Sequence, residues 1–249
     1  MIQIKNAEQI KAMRLAGRIT GEALLVGGEA LKDGVTTKHI DDLIRKYIEK
    51  CGATPSFLGY GGFTGSACIS INDEVIHGIP GDRVIQEGDI VSIDVGALVN
   101  GYHADSAYTF PCGKISAEAQ ALLDGTRKSL ENAIAQAVVG NRIGDISYAV
   151  QSTVEPLGYS VVREYVGHGV GRGLHEAPEV PNYGNPGRGV RLAAGMVIAI
   201  EPMINAGGWP VKVVGDVWTV VTRDNSLSAH FEHTVAITAN GPLILTALP

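Results

Sequence analysis

Gly34-V-T-T-K-H-I-D-D-L-I-R-K-Y-I-E-K-C-Gly52 and Gly140-N-R-I-G-D-I-S-Y-A-V-Q-S-T-V-E-P-L-Gly158 align without a gap at an offset of 106 positions. Ile40, Ile44, Ile48 and Glu49 of the first stretch fall on Ile146, Val150, Val154 and Glu155 of the second. Apolar residues at i, i+4 and i+8 form one stripe of a helix, and the closing glycine supplies the left-handed residue on which helices commonly stop. Farther along, Gly88-D-I-V-S-I-Asp94 matches Gly195-M-V-I-A-I-Glu201 at an offset of 107. Each reads as a buried strand that ends on a carboxylate. Two matches at nearly one offset predict a duplicated α+β unit, with halves of roughly 1–112 and 113–249 making one domain over 1–249.

Residues 7–26 read as a further helix with Ile10, Met13, Ala16, Ile19 and Ala23 on one face, and so do 117–137. Strands are expected near 68–72, 89–95, 103–111, 160–166, 196–201, 211–221 and 230–238. Asn100-Gly101 is a strong hairpin signal, which would fold 103–111 back beside 89–95. Many short hairpin-like strands with helices in each half predict an α+β fold. Two pseudo-symmetric halves would each carry a curved antiparallel sheet covered by helices.

The 249 residues are 45% hydrophobic and 18% charged with a mean hydropathy of +0.12, which excludes disorder. A chain of this size buries a core without help from disulfides or a structural ion, so a metal site here would serve function. Lys plus Arg number 20 against 26 Asp plus Glu, a net charge of −6 with pI near 5.6 and no basic run. That argues against a specific nucleic-acid surface, which needs clustered positive charge. Cys51, Cys68 and Cys112 form no C-x-x-C pair, so neither a disulfide framework nor a thiolate zinc site is indicated and a reducing compartment fits. The start M-I-Q-I-K-N-A-E-Q-I-K has no apolar signal region, and no stretch reaches the ~18 apolar residues of a membrane span. The expectation is a cytoplasmic protein without membrane attachment.

Against that background, three acids stand in or at the end of strongly apolar strands: Asp94 after I-V-S-I, Glu201 after V-I-A-I, and Glu232 in A-H-F-E-H-T-V-A-I. A carboxylate in such surroundings costs several kcal/mol unless it is paired or coordinates a cation. Taken singly, each is equally well read as a strand-end acid in solvent. The repeat, however, brings Asp94 and Glu201 to equivalent places in halves that pack together. The Asn100-Gly101 turn adds Asp105, which otherwise caps a turn or faces water. His168, in Y-V-G-H-G-V-G-R-G-L-H, sits between glycines that let the backbone approach something closely, although a lone histidine is more often simply hydrogen-bonded. Four carboxylates carry a formal −4, which two divalent ions neutralise, held about 3.5–4 Å apart by bridging carboxylates. Oxygen-rich ligation with one nitrogen suits Mn, Fe(II), Co or Zn.

In this order the residues closely resemble the methionine aminopeptidases of the pita-bread metallopeptidase fold, in their short type 1 bacterial form. The likeness rests on I-N-D-E-V-I-H-G-I-P (71–80), G-D-I-V-S-I-D-V-G (88–96), G-Y-H-A-D-S-A-Y-T-F (101–110), G-H-G-V-G-R-G-L-H-E-A-P (167–178), M-V-I-A-I-E-P (196–202) and S-L-S-A-H-F-E-H-T (226–234). The resemblance implies one catalytic domain with a dinuclear site held by Asp94, Asp105, His168, Glu201 and Glu232, of which Asp105 and Glu232 bridge. Water activated at the ions would attack the carbonyl of the first peptide bond, with Glu201 as proton shuttle. It also implies that His175 donates to the substrate carbonyl and that His77 contacts the scissile nitrogen; without the motifs, surface or core histidines would be the better reading of both.

By the same similarity a methionine pocket is walled by Tyr60, Phe63, Cys68, Leu174 and Trp218, with Phe57 nearby. Leu174 stands where the family usually has Phe, Phe57 where Cys is frequent, Phe63 where Tyr is frequent, and Ile76 where Cys or Thr is frequent. All four preserve apolar character, so methionine recognition is expected to survive.

The implied substrate is the N-terminal peptide of nascent polypeptides whose second residue is small, and the family precedent is a monomer. Transient ribosome association is also implied, although only Lys212 and Arg223 lie near Trp218 to support it. Two rivals share the fold. A proline-directed Xaa-Pro aminopeptidase or prolidase usually carries a further N-terminal domain of a hundred or more residues, for which this chain has no room. A non-catalytic binding protein would have substituted ligands, whereas all are present.

Overall fold

Asn6 and Gln9 start the first helix reciprocally: the Asn6 side-chain oxygen accepts from the Gln9 N–H at 2.9 Å, and that of Gln9 accepts from the Asn6 N–H at 2.8 Å. The structure is a computed structural model that describes residues 1–247, so the last two residues of the expected 1–249 domain lie outside it. Helix α1 (Ala7–Ala30) runs past its expected end at 26. It crosses the sheet through Gly27 and Gly28, where a side chain would collide with Ile44 and the Phe110 ring. Helix α2 (Thr37–Lys50) is capped by Thr36 and buries Ile40, Ile44 and Ile48. Helix α3 (Ala117–Ala135) is capped by Ser116, and α4 (Ile143–Val154) buries Ile146, Val150 and Val154 as α2 does its own stripe. Both α2 and α4 are shorter than the glycine-bounded windows. In the second, Pro156 follows α4 within a single tight turn and Gly158 closes it at φ +87°, as Gly52 closes the first at φ +71°.

In the first half β1 (Thr54–Pro55) and β2 (Ala67–Ile71) lie along one edge of β4 (Ile90–Val99), and β5 (Tyr102–Pro111) lies along the other; β3 (Glu74–Ile76) stands apart. Asn100 and Gly101, at φ +53° and +75°, make the turn between β4 and β5, and Gly96 pairs with Asp105 while Asp94 pairs with Ala107. Since side chains alternate in a strand, Asp94 and Asp105 are diagonal neighbours on one face. The second half contains β6 (Ser160–Val161), β7 (Gly167–Gly169), β8 (Glu176–Val180), β9 (Val197–Ile200), β10 (Met203–Asn205), β11 (Val211–Val213), β12 (Val220–Thr222), β13 (Ser228–His230), β14 (His233–Thr238) and β15 (Gly241–Ile244). Its main sheet has the order β15-β14-β9-β7-β8, so β9 lies between β14 and β7 as β4 lies between β5 and β2. Two smaller antiparallel sheets, β13-β10-β6 and β11-β12-β3, flank them.

Each half has its own core. Ile19, Leu24, Ile40, Ile44, Ile69 and Ile93 fill the first beneath α1 and α2, and Leu122, Leu130, Ile146, Val150, Ile198 and Ile237 fill the second beneath α3 and α4. Each such side chain contributes about 1.5–3 kcal/mol on burial. The halves meet along β5. Thr234 Oγ donates to the Asp105 carbonyl at 2.8 Å and accepts from its N–H at 2.9 Å, the Glu232 N–H donates to the Ala107 carbonyl at 2.8 Å, and Thr109 makes the same double contact with the backbone of His230.

Three expected strands are corrected. The 160–166 segment leaves the sheet after Val161, because Arg163 stacks over the Tyr183 and Trp209 rings (5.3 and 4.9 Å) and Tyr165 turns its ring edge to His77. The 211–221 segment is a hairpin, β11 and β12, whose turn forms where Asp216 accepts from the N–H groups of Trp218 and Thr219. The 230–238 segment is broken at Phe231 and Glu232, where the chain crosses between sheets.

Candidate active site

The break between β13 and β14 presents Glu232 at the seam, two residues past the end of β13 and across from Ala107 of β5. β4 presents Asp94, the end of β9 presents Glu201, and β7 presents His168. Donor atoms of Asp105, His168 and Glu232, all buried, lie within 4.8 Å of one another. The His168 Nε2 is 3.5 Å from Glu201 Oε1 and 3.8 Å from Asp105 Oδ2. Its Nδ1 is 2.9 Å from the Gly169 carbonyl, which can only accept, so the proton sits on Nδ1 and Nε2 offers a free lone pair.

No Lys or Arg forms an ion pair with these carboxylates among the described residues; of the basic side chains only histidines approach them. Asp94 Oδ1, Asp105 Oδ1 and Glu232 Oε1 are buried without a hydrogen-bond partner. Burial first, and then repulsion among neighbouring carboxylates, pushes Asp94, Glu201 and Glu232 well above the ordinary carboxylate range. Burial likewise pushes Asp105 up to about 7. Orphaned acceptors, a free imidazole lone pair and unopposed negative charge are what a divalent cation needs, so these residues fit one.

A cavity of about 140 Å³ opens beside this cluster. Its lining contains the five candidate ligands, His77 and His175, and Phe57, Tyr60, Phe63, Cys68, Leu174 and Trp218, whereas Ile76 lies outside it, packed with Val162, Met203 and Val220. Phe57, Phe63, Cys68 and Leu174 are buried together as one apolar cluster, with Trp218 set edge-on to Phe63 at 5.2 Å. His175 is exposed in the cleft, with Nδ1 2.9 Å from the Tyr60 hydroxyl and its ring 4.1 Å from that of His168. His77 follows β3 at φ +59°, its ring held edge-on by Tyr165 and Trp218, and burial lowers it to about 4, with His175 adding to the effect.

Three residues here are not singled out by the sequence reading. Tyr165 braces His77, Asn182 donates to the Glu201 carbonyl at 2.9 Å, and the buried His230 places Nε2, otherwise unpartnered, 3.9 Å from Glu201 Oε2. The position of His230 two residues before Glu232 is a signal the sequence did contain. Tyr165 and Asn182 lie in irregular chain and left none.

Residues 11–239 match the model of metallopeptidase family M24. The chain belongs to that family. Among relatives of this M24 chain is the methionine aminopeptidase of Clostridium acetobutylicum, 56% identical over 247 residues that cover 99% of each chain. The crystal structure of the methionine aminopeptidase from Thermotoga maritima superposes with a TM-score of 0.97 at 46% identity, covering 99% of both chains. The prolidase from Pyrococcus furiosus superposes with a TM-score of 0.79 at 25% identity, and there the M24 chain covers 98% of itself but 65% of the other. The architecture is the pita-bread fold, and membership in a metallopeptidase family implies use of a divalent metal. No described helix of the M24 chain is long and apolar enough to cross a membrane.

Proposed function

We propose that this chain is a metal-dependent methionyl aminopeptidase that removes the initiator methionine from nascent proteins when the second residue is small. One observation carries the reading: a single cavity joins five unopposed metal-ligand candidates to an apolar aromatic pocket of side-chain size. Full-length likeness to methionine aminopeptidases supports it over the proline-directed branch.

Asp94, Asp105, His168, Glu201 and Glu232 would hold two divalent ions, Mn, Fe(II), Co or Zn, with Asp105 and Glu232 shared between them. Ions bound there supply Lewis-acid polarisation of the peptide carbonyl and acidify water. Glu201 takes the proton from the attacking water and delivers it to the leaving amine. When the Tyr60 hydroxyl donates to His175 Nδ1, the proton of that ring resides on Nε2, from which it donates to the carbonyl oxygen as charge develops. His77, kept neutral at pH 7 by burial, meets the scissile nitrogen. The methionine thioether chain lies against Phe63, Leu174 and Trp218, and Cys68 and Phe57 close the pocket floor. The two halves act as one catalytic domain, a cytoplasmic monomer that meets nascent chains by transient contact with the ribosome.

Chelator-stripped protein is expected to release Met from a Met-Gly-Ser peptide once Mn, Co, Fe(II) or Zn is added, and to leave a Gly-Pro dipeptide uncut. Cleavage of Gly-Pro alone would move the chain to the proline-directed branch, and no cleavage with any ion would leave a binding protein. Phe63→Ala opens the pocket beside Trp218, and KM for the Met peptide should rise roughly tenfold or more while kcat changes less, because the contact is made equally in the ground and transition states. An unchanged KM would remove Phe63 from methionine recognition.

A further inference from the structure

Lys5 is buried, with its side chain 5% exposed, and its Nζ lies 2.7 Å from Glu176 Oε2, whose side chain is 13% exposed. Breaking such a pair leaves a buried charge behind, yet the intact pair contributes little net stability over an apolar substitute. What the pair does lies in what it joins. Glu176 directly follows His175 at the start of β8, and its other oxygen accepts from the Gly173 N–H at 3.0 Å. A side chain at Gly171 would collide with that carboxylate, so the 171–176 loop is wrapped around it. Lys5, in turn, is held by its own N–H, which donates to the Gly195 carbonyl at 2.7 Å just before β9.

A second link runs parallel to the first. Gln9, in the first turn of α1, donates to the Tyr102 hydroxyl at 3.0 Å, and the Arg172 guanidinium lies 4.8 Å over the Tyr102 ring. The N-terminal arm is thus tied at two points to the loop that carries His175, although it reaches neither the cavity nor the candidate ligands.

We infer that Lys5 is a positioning residue: through its buried ion pair with Glu176 it sets the 171–176 loop so that His175 stands over the cavity at the height of the substrate carbonyl. The inference rests on the aminopeptidase reading above. It makes the first residues of the chain, remote from the chemistry, part of what aligns the oxyanion donor.

The test is a double-mutant cycle on the metal-loaded enzyme with the Met-Gly-Ser peptide, together with amide exchange on the chelated protein. Lys5→Met should lower kcat roughly 10- to 100-fold with KM little changed, as a sub-ångström to ångström misplacement does, and Lys5→Arg should recover most of the loss. In a His175→Ala background, Lys5→Met should cost nothing further, because the group it aligns is gone. In the metal-free protein, the Gly173 amide should lose protection in Lys5→Met while the amides of α1 keep theirs.

Equal losses in both backgrounds, or a fully active Lys5→Met enzyme, overturn the inference. Should Lys5→Met fail to fold, the neutral pair Lys5→Met/Glu176→Gln replaces it in the same cycle. A fully active His175→Ala enzyme overturns the reading of the site and this inference with it. That result is distinct from failure of Lys5 alone, in which His175→Ala is crippled and Lys5→Met is not.

Discussion

Glu201→Gln abolishes methionine release, with kcat down about 10²- to 10⁴-fold when assayed at saturating divalent ion. The substitution is nearly isosteric and keeps an oxygen toward the cleft, but an amide cannot take up the proton of the attacking water. Its effect on the fold is expected to be neutral or favourable. Glu201 stands among Asp94, Asp105 and Glu232, where burial and their repulsion push its carboxyl well above the ordinary range, so in the chelated protein a neutral amide replaces a carboxyl that already holds its proton near neutrality. The chelated variant should therefore melt no lower than the parent. A variant that turns over at the parental rate would remove Glu201 from the mechanism, whereas a marked fall in the melting point of the chelated variant would mean that the carboxylate supports the fold instead.

The chelated parent protein should lose stability as pH rises from 6.5 to 8, and divalent ion should cancel that loss. Unfolded carboxylates titrate near 4 and unfolded imidazoles near 6.5, to within about half a unit. Asp94, Glu201 and Glu232 are raised well above the ordinary range and Asp105 to about 7, so near neutrality the folded protein holds protons that the unfolded chain has released. Stability then falls with rising pH, by up to about 1.4 kcal/mol per pH unit for each carboxyl still protonated.

Buried histidines act in the opposite sense. His77, His168 and His233 are lowered to about 4 and His230 to about 3, so stability is lost as pH falls below 6.5. Unfolded imidazoles are half protonated at 6.5 and neutral by about 8, so across this window each lowered histidine returns only about 0.4 kcal/mol, which offsets part of the larger carboxylate loss. Over this window Tm should drop by roughly 5 °C or more, given about 2–4 °C per kcal/mol at this chain length. Bound ion requires the carboxylates deprotonated, so its stabilisation grows with pH and flattens or reverses the slope. A chelated protein whose Tm is level or rising between pH 6.5 and 8 would mean that the acids are solvated and the cation reading of the cluster is wrong.

How much of this was legible beforehand depends on how local the signal is. The stripes of α2 and α4, the Asn100-Gly101 turn and the acid end of β9 are written in a few consecutive residues, and the structure has them where periodicity and turn chemistry put them, whereas β4 runs on past Asp94 to Val99 and holds that acid mid-strand. The broken course of 230–238 is not local. Glu232 leaves the strand because its backbone bonds to Ala107, a partner more than a hundred residues away. The same holds for 160–166, where the stacking of Arg163 between Tyr183 and Trp209 overrides a run of strand-forming residues. Candidate ligands could be named because apolar neighbours make a carboxylate conspicuous. His230 stands two residues before Glu232 in the same apolar run, a signal that is weaker than a carboxylate's because an uncharged ring can be buried at far lower cost.

The contact between β5 and residues 230–234 has one more implication. Asp94 and Asp105 come from one side of it, and His168, Glu201 and Glu232 from the other, so neither side owns a usable set of donors. Chemistry that exists only where two like bodies touch ties their histories together. Neither can be lost, exchanged for a stranger or reshaped at that border without extinguishing the activity proposed for it, while the solvent-facing sides of the helices, which carry no part of it, stay free to change.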